Sequence, residues 1–174
     1  MEQFYELLKY TIPALVVFAT AYFILEKQLD QQRMQATAAL RGEQVRQTLP
    51  LRIQAYERLM LLTDRCAIPN LLLRIRQPDM TVANLRGALS LAIHQEFDHN
   101  TSQQLYVSDT LWKILRIARE ETTKLIFDAA EGMDPGTTDD AYVQRLLNGW
   151  EAYQDNSPLD KAAVAIRTEA GKLF

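Results

Sequence analysis

The sequence predicts an all-α protein: a single N-terminal transmembrane helix, a helical stalk, and then an antiparallel helical bundle of about five helices. Three observations carry this. An uncharged apolar run lies near the N-terminus. Beyond it, apolar residues recur at helical spacing, and no stretch alternates apolar and polar residues strongly enough to demand a sheet. Pro, Gly and capping residues then punctuate the chain at intervals that leave short connections between antiparallel neighbours. Composition agrees. With 174 residues, 48% hydrophobic and 24% charged, and only 6 Gly and 6 Pro, the chain can build one core but is too short for two large ones.

The uncharged run, Tyr10 to Leu25, lies between Lys9 and Glu26, and Phe4, Leu7 and Leu8 extend its apolar surface. A hydrocarbon core of roughly 30 Å needs about 20 helical residues, which Phe4 to Leu25 supplies if Lys9 snorkels toward the headgroups. Tyr5 and Tyr10 at one end, with Tyr22 and Phe23 at the other, are placed like aromatic belts. Pro13 falls near the start of the span, where a missing donor is tolerated. A buried core helix is the first competing reading, and it would need a large domain to cover it. A cleaved signal peptide is the second. Ala19-Thr20-Ala21 has the small-x-small pattern, but Glu2 and Glu6 precede the run, and Tyr22 to Leu25 continues it past the cut. Lys9 alone precedes the span, whereas Lys27, Arg33, Arg41 and Arg46 follow it, which predicts the N-terminus outside and the larger part in the cytoplasm. The chain thus divides into a transmembrane helix over 4–25, a stalk over 26–49 and a cytosolic bundle over 50–174.

The stalk is rich in Gln, Ala, Arg and Glu, while Leu29, Met34, Leu40, Val45 and Leu49 are too sparse for a broad buried face. Gly42 weakens it and Pro50 ends or kinks it. Pro50 to Cys66 then carries Leu51, Ala55, Leu59, Leu62 and Cys66 on one face and Ile53, Tyr56 and Met60 on a second, the pattern of a central helix. Pro69 to Arg76 is a short helical turn fenced by Pro78. Thr81 caps a helix to about Asp98, with Leu85, Leu89, Ile93 and Phe97 in line. Ser108 caps the longest one, to about Glu131, with Leu111, Leu115, Ala118, Thr122, Leu125 and Ala129 as its stripe. Gly132 and the sequence MDPGTTDD mark its end, and Asp139 or Asp140 opens the next helix, with Val143, Leu146, Leu147, Trp150 and Tyr153 facing inward. Ser157-Pro158-Leu159-Asp160 joins a capping Ser, a Pro at the first position and an acid at the third, and opens a last helix carrying Leu159, Ala163, Ile166, Ala170 and Leu173.

The chemistry is sparse. A net charge of −3 and a pI near 5.4 oppose a nucleic-acid partner, because binding a polyanion draws on clustered Lys and Arg. The one cysteine, Cys66, permits no intramolecular disulfide and no thiolate cluster. It falls on the apolar stripe of its helix, the place of a small buried hydrophobe rather than an activated thiolate, although Arg65 is adjacent. No glycine-rich phosphate loop is present. Both histidines lie in His94-Gln95-Glu96-Phe97-Asp98-His99. His94 and Asp98 share a helix face, and Glu96 with His99 matches the Glu-x-x-His element of di-iron bundles. A di-iron site needs a second such element, and no further histidine exists. What remains is a mononuclear metal bound by His94, Asp98 and a carboxylate from elsewhere, with His99 as a further candidate, set against an ordinary polar helix end in which His99 interacts favourably with the dipole. Arg65, Arg74 and Arg76 flank the Ile68-Pro69 turn as a candidate for an anionic ligand or acidic partner, set against pairing with nearby acids. No cofactor is expected.

The order of span and helical domain, with SQQLYVSDTLWKILRIAREE at 102–121, resembles uncharacterised small proteins with one N-terminal membrane span and a cytosolic helical domain. That resemblance carries no catalytic residue and implies no function. The peripheral-stalk b subunit of rotary ATP synthases is similar in order only as far as residue 49. It is one nearly unbroken charged helix, whereas five prolines from Pro50 to Pro158, with Trp112 and Trp150, specify a compact bundle. The expected function is a non-catalytic, membrane-anchored interaction module, whose partners are the lipid bilayer and a protein or a further copy of the chain. The alternative is a metal- or ligand-dependent enzyme or sensor using the His94 to His99 segment.

Overall fold

The protein is described from a computed structural model. It covers the backbone of residues 2–153 and 156–173, and the side chains of 15–35, 37, 43, 46–153 and 156–173. The described residues form α1 (Glu2–Cys66), α2 (Ile68–Ile75), α3 (Val82–Asn100), α4 (Asp109–Ala129), α5 (Asp140–Glu151) and α6 (Pro158–Ala170), with 3-10 turns at Thr101–Leu105 and Gly171–Leu173. Among them the only β-type pairing is an isolated bridge between Thr81 and Thr138. The fold is an all-α helical bundle, and the chain divides after Thr48 into two compact units.

In the first unit every described side chain from Leu15 to Gln35 is exposed, including Val17, Phe18, Tyr22, Phe23 and Ile24. Among the described residues no helix is long and apolar enough to cross a membrane. Of the span expected from the sequence, the side chains of 4–14, with Lys9, Tyr10 and Pro13, lie outside the described residues, and 15–25 lie within them. Pro50 does not end the helix, contrary to one of the two outcomes the sequence allowed. An interior Pro costs a helix about 3 kcal/mol. Directly after it, Ala55, Tyr56, Leu59, Leu62 and Cys66 bury one face and offset that loss.

In the second unit α4 is the hub, packed by α3, α5 and α6, with α6 lying closest. Both helices bury small side chains, Ala118 on α4 and Ala162 on α6, which permit close approach of a neighbour. The caps form as local chemistry dictates. Thr81 accepts from the Asn84 amide at 3.3 Å and Ser108 from the Leu111 amide at 3.1 Å. Ser157 and Asp160 close a capping box, with Pro158 in the first turn. Gly132 takes φ +72° just beyond α4, a conformation that glycine adopts without a Cβ penalty. The loop that follows is stitched to the start of α3. The amides of Val82 and Ala83 donate to the carbonyls of Thr137 and Pro135 at 3.0 and 3.1 Å, which satisfies donors that a helix N-terminus leaves open.

The buried face of α5 differs from the expected one by part of a turn. Tyr142, Val143 and Leu146 are buried, and Tyr142 is the largest side chain in the fully buried core. Its hydroxyl donates to the Ile126 carbonyl at 2.9 Å, and burial pushes its pKa up to about 12 against the opposing charge of Arg86. Trp150, expected inside, is half-buried, as is Trp112. The reason is its position at the end of α5, where it packs on the core's edge and meets Tyr153 edge-on at 6.3 Å. On α4, Ile126 fills the core position and Leu125 is half-buried. A Cβ on Gly149 would stand 2.9 Å from Leu125 Cδ1, so a larger residue there would require the Leu125 side chain to shift.

Candidate functional site

The residues singled out from the sequence do not converge on one site. His94 and Asp98 lie 3.8 Å apart on the surface of α3, each with about two thirds of its side chain exposed, and His99 is exposed as well. Among the described residues no group of three or more His, Cys, Asp or Glu side chains stands where it could hold a metal ion. The arginines separate into two structural pairings. Arg65 Nε and Arg74 Nη1 lie 3.2 and 2.9 Å from Glu96 Oε1, which ties α1, α2 and α3 together. Arg76 turns away to Asp139, donating from Nε and Nη2 at 2.8 and 2.7 Å, with Nη2 also 2.6 Å from Asp140. Asp139 is buried, and a bidentate guanidinium is the partner that makes a buried carboxylate tolerable. Cys66 is fully buried. Loss of solvent and then the nearby Glu96 charge push its thiol up to about 12, against the opposing pull of Arg74 and Arg65. Such a thiol stays protonated at neutral pH and is a poor nucleophile.

What the second unit does offer is an apolar groove of about 520 Å³ between α1 and α6. Ile53, Met60 and Leu61 line it from α1, and Ile166, Ala170 and Leu173 from α6 and the turn after it. It exists because α1 carries apolar residues on two faces. Ala55, Leu59 and Leu62 fill the core, so Ile53, Met60 and Leu61 are left on the other side, half-buried or exposed. The small Ala170 on the facing helix does not fill the gap. Glu57 and Arg167 supply the charged margin, one from each wall.

Beneath the groove a polar network fixes its walls. The Tyr56 hydroxyl donates to Glu169 Oε1 at 3.0 Å and accepts from Arg52 Nη2 at 3.1 Å, while Arg52 Nε donates to the Tyr106 carbonyl at 3.3 Å. The Ser108 amide donates to Glu169 Oε1 at 2.8 Å and its hydroxyl to Glu169 Oε2. Glu169 thus joins α6 to α1 and to the N-terminus of α4, where a carboxylate meets the positive end of the helix dipole. Burial alone would raise its pKa. The Ser108 hydroxyl and amide, the Tyr56 hydroxyl and the Arg52 charge outweigh that and hold Glu169 below the usual carboxylate range. Burial, with help from Glu169, raises Tyr56 above the usual phenol value in spite of Arg52. Both shifts point away from neutrality, and the hydrogen bonds of Glu169 join α6 to α1 and to the start of α4.

Sequence reasoning did not single out Glu169 or the groove. One signal was available: an acid at the C-terminal end of a helix opposes the dipole, so Glu169 in the last turn of α6 called for a partner elsewhere.

By fold this is a helical-bundle protein, and its second unit carries an apolar groove between α1 and α6. The chain belongs to a family of unknown function (DUF7935), whose model matches residues 2–173. No curated protein and no solved structure matches it.

Proposed function

We propose that the chain is a membrane-anchored, non-catalytic interaction module. Residues 4–25 form a single transmembrane helix with the N-terminus outside, 26–49 set the distance from the membrane, and the cytoplasmic bundle holds a partner in the groove between α1 and α6. One observation carries the reading. From Leu15 to Leu25 apolar side chains cover every side of α1 and are exposed, and a helix apolar all round is stable only in a protein core or in lipid. The sequence extends that surface to the length a bilayer needs, from Phe4 on. Tethering then works by concentration: a partner that docks on an anchored groove is confined to a thin layer at the membrane face.

Topology reporters test this. A cytoplasm-active enzyme fused after Phe174 is expected to be active, and an export-dependent enzyme at the same place inactive. The opposite pair of results, or recovery of a processed chain that begins at Tyr22, contradicts the reading.

A further inference from the structure

The groove between α1 and α6 carries one acid on one wall and one base on the other. Glu57 of α1 and Arg167 of α6 both line it, and neither side chain has a hydrogen-bond or ion-pair partner among the described residues. The two stand at closely similar levels. Tyr56 touches Glu169 across the helix pair, Glu57 is the next residue on α1, and Arg167 lies two residues before Glu169 on α6. At about 1.5 Å of rise per residue, Glu57 and Arg167 each lie within about 3 Å of that contact along their own helices. Leu61 projects at the edge of the same groove, 60% exposed.

This distribution of charge is self-complementary. A two-fold axis parallel to α1 and α6 sets α1 of one copy over α6 of the other without shifting levels. It therefore brings Glu57 to the partner's Arg167, and Arg167 to the partner's Glu57. Under such symmetry each favourable contact occurs twice. The same rotation carries Leu61 of each copy to the other's groove, where an apolar side chain has a vacant apolar surface to cover. We infer that the groove is a self-association site, occupied by the same groove of a second copy, with Leu61 as the apolar contact and the Glu57–Arg167 pairs fixing register. This rests on the docking reading above and names the occupant; anchoring in one orientation raises the concentration at which like chains meet.

The test uses the full chain in mild detergent, with sedimentation equilibrium reporting its mass and circular dichroism its helicity. The wild-type chain is expected to be dimeric. Glu57→Arg sets Arg against Arg at both contacts and Arg167→Glu sets Glu against Glu, so each variant alone is expected to dissociate about tenfold or more readily. Mixed together, the two variants restore opposite charges at both contacts, and a heterodimer near wild-type affinity is expected. Misfolding or loss of a different partner's site would not produce that rescue. A monomeric wild type, single variants that associate like wild type, or a mixture that stays monomeric would each overturn the inference. Failure here is separable from failure of the anchor. A monomeric chain that remains in the membrane fraction removes self-association only, and a dimer that leaves that fraction removes the anchor only.

Discussion

Residues 15–35 and the bundle from residue 49 are both helical, yet they treat apolar side chains in opposite ways. In the bundle Leu59, Leu71, Leu85, Leu89, Leu115 and Leu146 are wholly inaccessible, whereas Leu15, Val16, Phe18, Phe23, Ile24 and Leu25 are each more than half exposed. The difference lies in spacing. Bundle helices set apolar residues three and four apart, which leaves a polar face for water and one stripe for neighbours. From Leu15 to Leu25 the only polar groups are the hydroxyls of Thr20 and Tyr22, too few to make a face. The Thr20 hydroxyl donates to the Val16 carbonyl at 2.7 Å and so spends its donor inside the helix. The first pattern is completed by packing against its own chain. The second is left exposed among the described residues, and it is the pattern that the proposed anchor explains.

Substitutions that exploit this contrast should differ by several kcal/mol. The largest loss is expected for Tyr142→Ala, about 3 to 5 kcal/mol, because it empties a fully buried aromatic site and strands the Ile126 carbonyl. Trp150→Ala, at the half-buried end of α5, should cost about half as much. Denaturant midpoints of the two variants make the comparison, and equal losses would mean that Trp150 is as central as the sequence suggested.

Glu169→Ala removes hydrogen bonds that a charged group accepts from α1 and from the cap of α4, and should cost about 1.5 to 3 kcal/mol. The same residue gives a pH dependence of known sign. Its folded pKa is depressed, so its contribution is present above the unfolded value of about 4.3 and is lost as pH falls through the folded one. Wild type should therefore lose stability in that acid window, and Glu169→Gln should lose less. Cys66 acts at the other end of the scale. With its folded pKa near 12, folding loses stability as pH rises past the unfolded value of about 8.5. Thiol labelling at neutral pH should follow unfolding, and rapid labelling of the native protein would contradict its burial.

Smaller effects complete the series. Ser157→Ala breaks the capping box of α6 and should cost about 1 kcal/mol. Phe23→Ala should leave the unfolding of the bundle within about 0.5 kcal/mol of wild type, as expected for a residue outside its core. A shift comparable to that of Trp150→Ala would show that the two regions are not energetically separate.

What could be read from the chain was its local chemistry. Thr81, Ser108 and Ser157 cap the helices they were expected to open, because a cap involves residues three apart. Most of the buried stripe of α4 was likewise legible from spacing. The site was not, since its contacts join distant segments: Tyr56 and Glu169 are separated by 113 residues, and Arg76 and Asp139 by 63. The acid partners of the arginine cluster were not legible for that reason. Its acids come from other helices, and no pattern near residue 70 announces them. Tyr142 was missed because α5 is short, and a stripe of three residues leaves the face uncertain by one position.

Alkaline extraction of membranes from cells that express the full chain, beside a chain starting at Leu49, tests the central claim most directly. The account predicts that the full chain stays in the membrane pellet through the extraction, while the shorter chain is soluble, helical and unfolds cooperatively. Full-length protein released into the soluble fraction without detergent would contradict it.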